Sequence, residues 1–329
     1  MLGGTHHVGR AVVQTALARG DEVTTLTRGV SGPPAAGARA LHADRTQPGQ
    51  LAEALGQASW DAVIDTWSGA PRAGRDAARL LAGRAGHYCY VSSRSVYQWP
   101  IPPGANESAP VVEADPASED CPDYAAAKRG GELAVLQEFG GPVLLARAGL
   151  VLGPYEITGR LPWWLRRIER GGDVLAPGPP GLPLQYIDGR DLAAWLVRAA
   201  GSGISGVFNT VSRPGQATMA SLLEAAKAAT GSAARLVWVG PEVIARAGIT
   251  PWTELPVWVP PGSELAGLHT GDVSAACAAG LSCRPVEQTV ADTWAWLQAE
   301  GDPPPQPGGP AHGVDAERER QALALAADC

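Results

Sequence analysis

The chain has little phenylalanine and methionine, two residues of each, against eleven tryptophans. Its five cysteines (Cys89, Cys121, Cys277, Cys283 and Cys329) are odd in number and include no Cys-x-x-Cys pair. Neither a disulfide framework nor a zinc site is expected, in keeping with a reducing cytoplasm. No apolar run approaches the roughly 20 residues needed to span a bilayer. No basic-then-apolar signal segment opens the chain, so a cytoplasmic protein without a membrane partner is expected. Positive charge is in deficit: 26 Lys and Arg against 33 Asp and Glu give a net charge of −7, which argues against nucleic acid as the partner. No internal repeat and no metal-ligand cluster is visible.

What is present is enough apolar residue, 45%, for a sizeable core in 329 residues. The first half alternates helix and strand signals, the pattern of βαβ units and a parallel sheet. Residues 8–19 have helical spacing and stop at Gly20; Glu22 to Leu26, a short strand ending at His42, Asp61 to Asp65 and His87 to Ser92 read as strands. Helices are expected over 47–57, 72–84 and, capped by Asp123, to about Phe139, with another strand from Pro142 to Arg147. Residues 98–121, rich in Pro, Glu and Asp, read as a surface loop. The expectation is a Rossmann-type doubly wound α/β fold with a smaller C-terminal substrate domain. Residues 1–150 form its dinucleotide-binding part, and 151–300 a substrate-binding portion interleaved with the end of the sheet. Residues 301–329 read as a linker or disordered tail, whose last stretch has helical character but little apolar surface to dock.

The opening GGTHHVGR (residues 3–10) sets Gly3 and Gly9 six apart just before a helical pattern. In a dinucleotide loop such glycines permit a tight turn and a close helix–strand approach, with the pyrophosphate at the helix N-terminus. Gly3, Thr5, His6, Val8 and Gly9 are the expected contacts, although His6 stands where a middle glycine belongs. A phosphate loop also follows a strand of five or six residues, yet only Met1 and Leu2 precede it here. The first strand is therefore expected to be truncated, with the true start upstream.

Ribose selection falls at the end of the next strand, in VTTLTRG, where Thr27 and Arg28 replace the carboxylate that would accept a 2′-hydroxyl. A guanidinium pairs with a 2′-phosphate, so NADP(H) is the expected cofactor and NAD(H) the alternative. Asp44, in HADR, is expected near the adenine or in a turn, and Thr66, Trp67 and Ser68 in the cofactor-facing loop DTWSG.

Ser93 stands at the end of YVSSRSVY (90–97), and DYAAAKRGGE places Tyr124 and Lys128 four apart on one helical face. An ammonium below a phenol lowers its pKa, and the phenol can pass a proton to a carbonyl that the serine holds in line. Ser93, Tyr124 and Lys128 are thus the candidate catalytic set.

These features, with ARAGLVLGP (146–154) and QYIDGRDLA (185–193), resemble the extended branch of the short-chain dehydrogenase/reductase superfamily, including its NAD-dependent epimerase/dehydratase group. GGTHHVGR and PWWLRRIERGGDVLAPGPPG are similar to bacterial members described as reductases or epimerases, and the opening also resembles chloroplast stem-loop RNA-binding relatives. The resemblance implies Ser93 as the functional serine and a homodimer built on the helix after Asp123. On the substrate side Arg160, Trp163, Tyr186 and Arg190 are expected to form an aromatic and cationic pocket. The reading favoured by Arg28 is an NADP(H)-dependent oxidoreductase of a small carbonyl or alcohol. The alternatives are an NAD-dependent nucleotide-sugar epimerase/dehydratase and a non-catalytic dinucleotide-sensing or RNA-binding protein.

Overall fold

The computed structural model describes residues 1–30, 32–303 and 312–327. Its first half is a parallel sheet with helices on both faces, as the alternating signals imply. Strands β1 (Thr24–Thr27), β2 (Arg39–His42), β3 (Val63–Asp65), β4 (Tyr88–Ser93) and β5 (Val143–Ala148) alternate with helices α1 (His7–Arg19), α2 (Gln50–Leu55), α3 (Pro71–Leu81) and α4 (Tyr124–Glu138). After β6 (Leu150–Leu152), α5 (Arg160–Glu169), β7 (Asp173–Pro177), β8 (Pro183–Leu184), β9 (Tyr186–Asp188) and α6 (Gly189–Gly201), β10 (Gly206–Thr210) returns to the first sheet. There β10, β5, β4 and β3 lie side by side, all parallel, and β1 pairs with β2.

The two pieces are joined by the first three residues of the chain. Leu2 makes parallel bridges to Leu26 on one side and Asp65 on the other, so Met1–Gly3 occupies the central strand position. The amide of Leu2 donates to Ile64 at 2.9 Å, that of Gly3 to Leu26 at 2.9 Å, and that of Leu26 to Met1 at 2.9 Å. The Met1 ammonium sits inside the sheet, donating to the Thr24 carbonyl at 2.8 Å. Burial, only partly offset by Asp65, lowers its pKa to about 6. Below it, at the amino ends of the strands, opens a cavity of about 890 Å³ lined by Val12, Thr24, Leu55, Trp60, Ala62 and Ile64 among others. The first strand, expected to be truncated, is represented by these bridged residues, with the cavity at their amino end.

Helix α1 ends where Gly20 turns left-handed (φ 90°) and its amide returns to the carbonyls of Ala16 and Leu17. Helix α4 starts where the Asp123 carboxylate accepts from the Ala126 amide at 2.7 Å. Its buried face carries Ala127, Lys128, Gly130, Gly131, Ala134 and Val135. The glycine pair is a close-approach device: a Cβ on Gly130 would lie 2.5 Å from Pro71, and one on Gly131 would overlap the Tyr90 hydroxyl. Alpha-4 therefore presses against β4 and α3, which fixes the height of Tyr124 and Lys128.

A second core gathers around Trp164, Leu165, Leu222, Leu223 and Trp258. Trp164 and Trp258 are fully buried, their indole N–H groups donating to Pro256 at 2.8 Å and Gly178 at 3.1 Å. These two tryptophans belong to the core, whereas Trp67, Trp163 and Trp252 remain partly open. The tail differs from the linker expectation. Residues 304–311 lie outside the described residues, but Ala316–Ala327 is a helix docked on the second core. Its anchor is polar: Glu319, 5% exposed, accepts from Arg167 at 2.6 Å and from the Leu175 amide at 3.1 Å. Among the described residues the cysteines are free thiols, no cluster suits a metal ion, and no helix is long and apolar enough to cross a membrane.

Candidate active site

The glycine loop leads directly into α1. Gly3 (φ 104°) and Gly4 (φ 125°) hold conformations that side chains resist, and a Cβ on Gly3 would lie 2.5 Å from Thr66 Oγ1. A Cβ on Gly9 would lie 2.8 Å from the Gly4 amide, so loop and helix touch through bare backbone. His6 precedes the helix in an extended conformation without a side-chain cap, and the first turn carries no acid. The amides of a 13-residue helix are thus left for an outside acceptor, the condition for an anion at a helix N-terminus. His6 is exposed. His7 takes φ 26° and turns away, its Nε2 facing Gly189 without a hydrogen-bond partner. Burial lowers its pKa to about 4, so it is a neutral imidazole at ordinary pH.

Arg28 is exposed at the end of β1, beside Gly29, whose amide donates to Thr27 Oγ1 at 3.2 Å. Across from it the Asp44 carboxylate accepts from the Thr46 amide and hydroxyl at 2.9 and 2.7 Å. Those bonds and the nearby Arg28 charge hold Asp44 below its ordinary pKa.

At the end of β3, Asp65 is fully buried and grips Arg45 through two hydrogen bonds of 2.7 and 2.8 Å. It also accepts from Tyr88 at 2.7 Å and from the Trp67 amide at 2.9 Å. The Arg45 guanidinium stacks 4.8 Å from the Trp67 ring. This buried set fixes the loop of Thr66, Trp67 and Ser68, and the sequence reading did not single out Asp65 or Arg45.

Helix α4 then brings Tyr124 and Lys128 to the carboxyl ends of β3 and β4. Tyr124 is 50% exposed, and Ser93 stands near enough to act on its hydroxyl. Ser93 Oγ in turn accepts from the Ser95 amide at 3.1 Å. Burial raises the Tyr124 pKa; Ser93 and the charge of Arg160 pull it back. The expected lowering by Lys128 is not among the effects on Tyr124. Lys128 is instead buried one turn further on, donating to the carbonyls of Trp67 at 2.6 Å and Val91 at 2.7 Å. Burial lowers its pKa to about 8 against the opposing charges of Asp65 and Glu132. Lys128 and Lys227 are the only lysines in a chain that otherwise uses arginine.

The expected substrate residues divide. Arg160 opens α5 and lies close enough to Tyr124 for their charges to interact. Trp163, one turn along α5, packs edge-on to Trp164 and against Gly313. Tyr186 and Arg190 do not join them. Tyr186 is 4% exposed and belongs to the second core. Arg190 folds back on Asp188, the N-cap of α6, at 2.7 Å and pairs with Asp292 at 2.6 Å. The Asp-x-Arg spacing produces a helix-capping ion pair here rather than a pocket wall. Two further residues stand by Arg160: Trp252, one of the tryptophans whose loop positions suggest a pocket wall, under its guanidinium at 5.2 Å, and His312, which the sequence did not single out and whose pKa burial and the Arg160 charge depress. Both are far from α5 in the chain, so no local spacing links them. Tyr155 and Trp252 hold φ 65°, and with His7 they put three left-handed non-glycine residues around this region. Such backbone strain concentrates at functional sites.

A glycine loop on a helix N-terminus, a parallel sheet and a Ser/Tyr/Lys set at its carboxyl edge define a dinucleotide-binding α/β protein. A family model for the NAD dependent epimerase/dehydratase family matches residues 1–210, and the chain belongs to that family. Among solved structures it is similar to the Bordetella bronchiseptica enzyme WbmH in complex with NAD+, at 17% identity and TM-score 0.67, over 92% of this chain and 98% of that one. It is also similar to the Thermus thermophilus UDP-glucose 4-epimerase complex with NAD, at 20% identity and TM-score 0.63, over 91% and 98%. The UDP-glucose 4-epimerase of Thermotoga maritima with UDP-glucose gives 16% identity and TM-score 0.64, over 92% and 98%. No curated protein sequence gives a significant match.

Proposed function

We propose that this chain uses a nicotinamide dinucleotide to oxidise and re-reduce a hydroxyl-bearing carbon of a sugar-like substrate, as an epimerase of its family. The observation that carries this reading is the gathering of Ser93, at the end of β4, with Tyr124 and Lys128 of α4 at the carboxyl edge of the sheet, Lys128 one helical turn from Tyr124. The glycine cradle fits the cofactor: Gly3, Gly4 and Gly9 leave backbone where Cβ atoms would intrude, and the α1 amides are open. Gly3, Thr5, His6, Val8 and Gly9 would hold the pyrophosphate, and Thr66, Trp67 and Ser68 the face of the ribose and nicotinamide. The bound nicotinamide supplies hydride transfer at the reacting carbon.

The protein's own part is proton transfer and orientation. Tyr124, as its phenolate, would take the proton of the substrate hydroxyl on oxidation and, as the phenol so formed, return it to the same oxygen on reduction. Ser93 donates to that oxygen and keeps it in line with the phenol. Lys128, fixed by two backbone carbonyls, offers its remaining proton to the ribose and couples the cofactor loop to α4.

A second reading rests on Arg28: an exposed guanidinium at the end of β1, with no carboxylate bonded to it among the described residues, suits a 2′-phosphate and hence a stand-alone NADP(H) reductase. We place either enzyme in the cytoplasm as a homodimer using the outer face of α4, where Leu136 is 52% exposed. The test is to incubate the protein with NAD+ and UDP-glucose or UDP-glucuronate, and separately with NADPH and a panel of small ketones and aldehydes. Formation of the 4-epimer without net change in the nicotinamide supports the first reading, and net NADPH consumption the second. Rates equal to those of Tyr124→Phe in every assay would refute both.

A further inference from the structure

Arg160 is a cation of this region that no carboxylate grips directly, Glu156 acting on it only through its charge. It makes no salt bridge among the described residues, unlike Arg45, Arg147, Arg167 and Arg190, each of which holds a buried carboxylate. Of its five N–H donors one is used, from Nη1 to Thr158 Oγ1 at 3.2 Å, while Nε is buried without a partner. The nearest acid does not satisfy it. Glu156, fully buried, spends its oxygens on the Thr158 hydroxyl and on the backbone amides of Arg160 at 2.8 Å and Leu161 at 3.2 Å. Glu156 thereby caps α5 and holds Thr158 and the start of the helix, leaving the guanidinium free.

The surroundings favour a planar, charged ligand. Trp252 lies under the guanidinium at 5.2 Å, with its backbone at φ 65°. The amide of Gly313 donates to the Thr253 carbonyl at 2.9 Å, and His312 Nδ1 meets the same carbonyl at 3.3 Å, so the strand of tail beyond the second core closes this side. Gly313 has φ 105°, and a Cβ there would overlap the Trp163 indole nitrogen. A partly buried guanidinium with unsatisfied donors costs free energy unless something pairs with it. A stacked, immobilised guanidinium is also preorganised for a carboxylate fork.

We propose that Arg160 is the anion-binding residue of a substrate subsite beside Tyr124, and that the natural substrate carries a carboxylate near the carbon whose hydroxyl Tyr124 serves. This specifies the substrate as an acid, a uronic or hydroxy acid rather than a neutral sugar. It rests on the hydride-transfer reading for the position of Tyr124 only. Trp252 and Trp163 are the flat walls, and Thr158 orients the guanidinium.

The test is binding, without turnover. Protein saturated with its preferred dinucleotide is titrated with sodium D-glucuronate, with D-glucose and with inorganic phosphate, following tryptophan fluorescence; Trp252→Phe identifies the reporter. Glucuronate is expected to bind at least tenfold more tightly than glucose and more tightly than phosphate. Arg160→Gln should erase the preference for the acid, and Arg160→Lys should keep part of it, with dinucleotide affinity unchanged in both. Arg160→Lys retains the charge and stem, so it decides the matter if the glutamine variant does not fold. Equal binding of glucuronate and glucose, a preference for phosphate, or a preference for the acid that survives Arg160→Gln would overturn the proposal. If discrimination is found but no turnover differs from that of Tyr124→Phe, the hydride-transfer reading fails and the anion subsite stands.

Discussion

The Lys128 ammonium donates to the Trp67 carbonyl at 2.6 Å, tying the helix that carries the candidate acid/base to the loop at the end of β3. Trp67 is itself fixed by Asp65, whose carboxylate accepts the Trp67 amide at 2.9 Å and two bonds from Arg45. Loop, strand end and helix thus form one buried polar unit. A displacement of any member is felt at Tyr124.

The pH dependence follows from that burial. Lys128 has its pKa lowered to about 8, so the ammonium is present below that value and lost above it. Turnover that needs the cation is expected to fall as pH rises through 8, while Lys128→Met lowers it at every pH by roughly 10²-fold or more. Stability has the opposite sign. Between about 8 and the ordinary lysine value of 10.5 the unfolded chain binds the proton and the folded chain does not, so this group's contribution rises with pH. A kcat that stays level from pH 7 to pH 10 would count against a charged Lys128 in the reaction.

Gly131 sets the height of α4 on β4. Glycine to alanine inside a helix ordinarily stabilises by up to about 1 kcal/mol. Here the new methyl would overlap the Tyr90 hydroxyl, which donates to the Trp67 carbonyl at 3.0 Å. Gly131→Ala is therefore expected to lower Tm and reduce turnover together. Gly130→Ala, against Pro71, should lower Tm with a smaller effect on turnover. A gain in Tm for Gly131→Ala would show that α4 is not held in contact with β4.

The gap beneath Met1 has its own signature. Beta-3 pairs with β4 through Val63 and Asp65, so by alternation the Ile64 amide points into the cavity. Fusing about five apolar residues ahead of Met1 is expected to add an extended strand there, with each buried Val or Ile contributing about 1.5–3 kcal/mol. Tm should rise by several degrees. The buried Met1 ammonium gives a second readout: with its pKa lowered to about 6 from 8.0, the unfolded chain binds more protons between those values, so stability rises with pH across that window. The fusion replaces the ammonium by an amide and should remove that slope. An unchanged Tm and an unchanged slope would mean that the cavity does not accept a strand.

Much of this fold is legible from local pattern. Asp123, followed by helical spacing and the Tyr124/Lys128 register, is a complete local signal, and α4 falls within a residue of where it is expected. The parallel sheet is likewise written in its short apolar runs, each bounded by turn residues. The substrate side is not, because its partners meet over long separations. Asp-x-Arg reads alike whether Arg190 lines a pocket or, as here, folds onto Asp188. Glu319 docks the last helix through Arg167, and Trp252 and His312 reach Arg160 from distant segments. The apparent shortage of apolar surface on the last helix is met by that one buried ion pair together with Ala322 and Leu323.

The most direct measurement is a titration of the purified chain with NADPH and with NADH, read by energy transfer from tryptophan to the bound nicotinamide. It is run on the wild type, Gly9→Val and Tyr124→Phe. The expected result is saturable dinucleotide binding, largely lost in Gly9→Val, where the side chain would strike the Gly4 backbone, and retained in Tyr124→Phe; tighter NADH favours the epimerase reading and tighter NADPH the reductase reading that rests on Arg28. Absence of binding by the wild type, or binding untouched by Gly9→Val, would contradict a dinucleotide site in the glycine loop and with it the hydride-transfer reading.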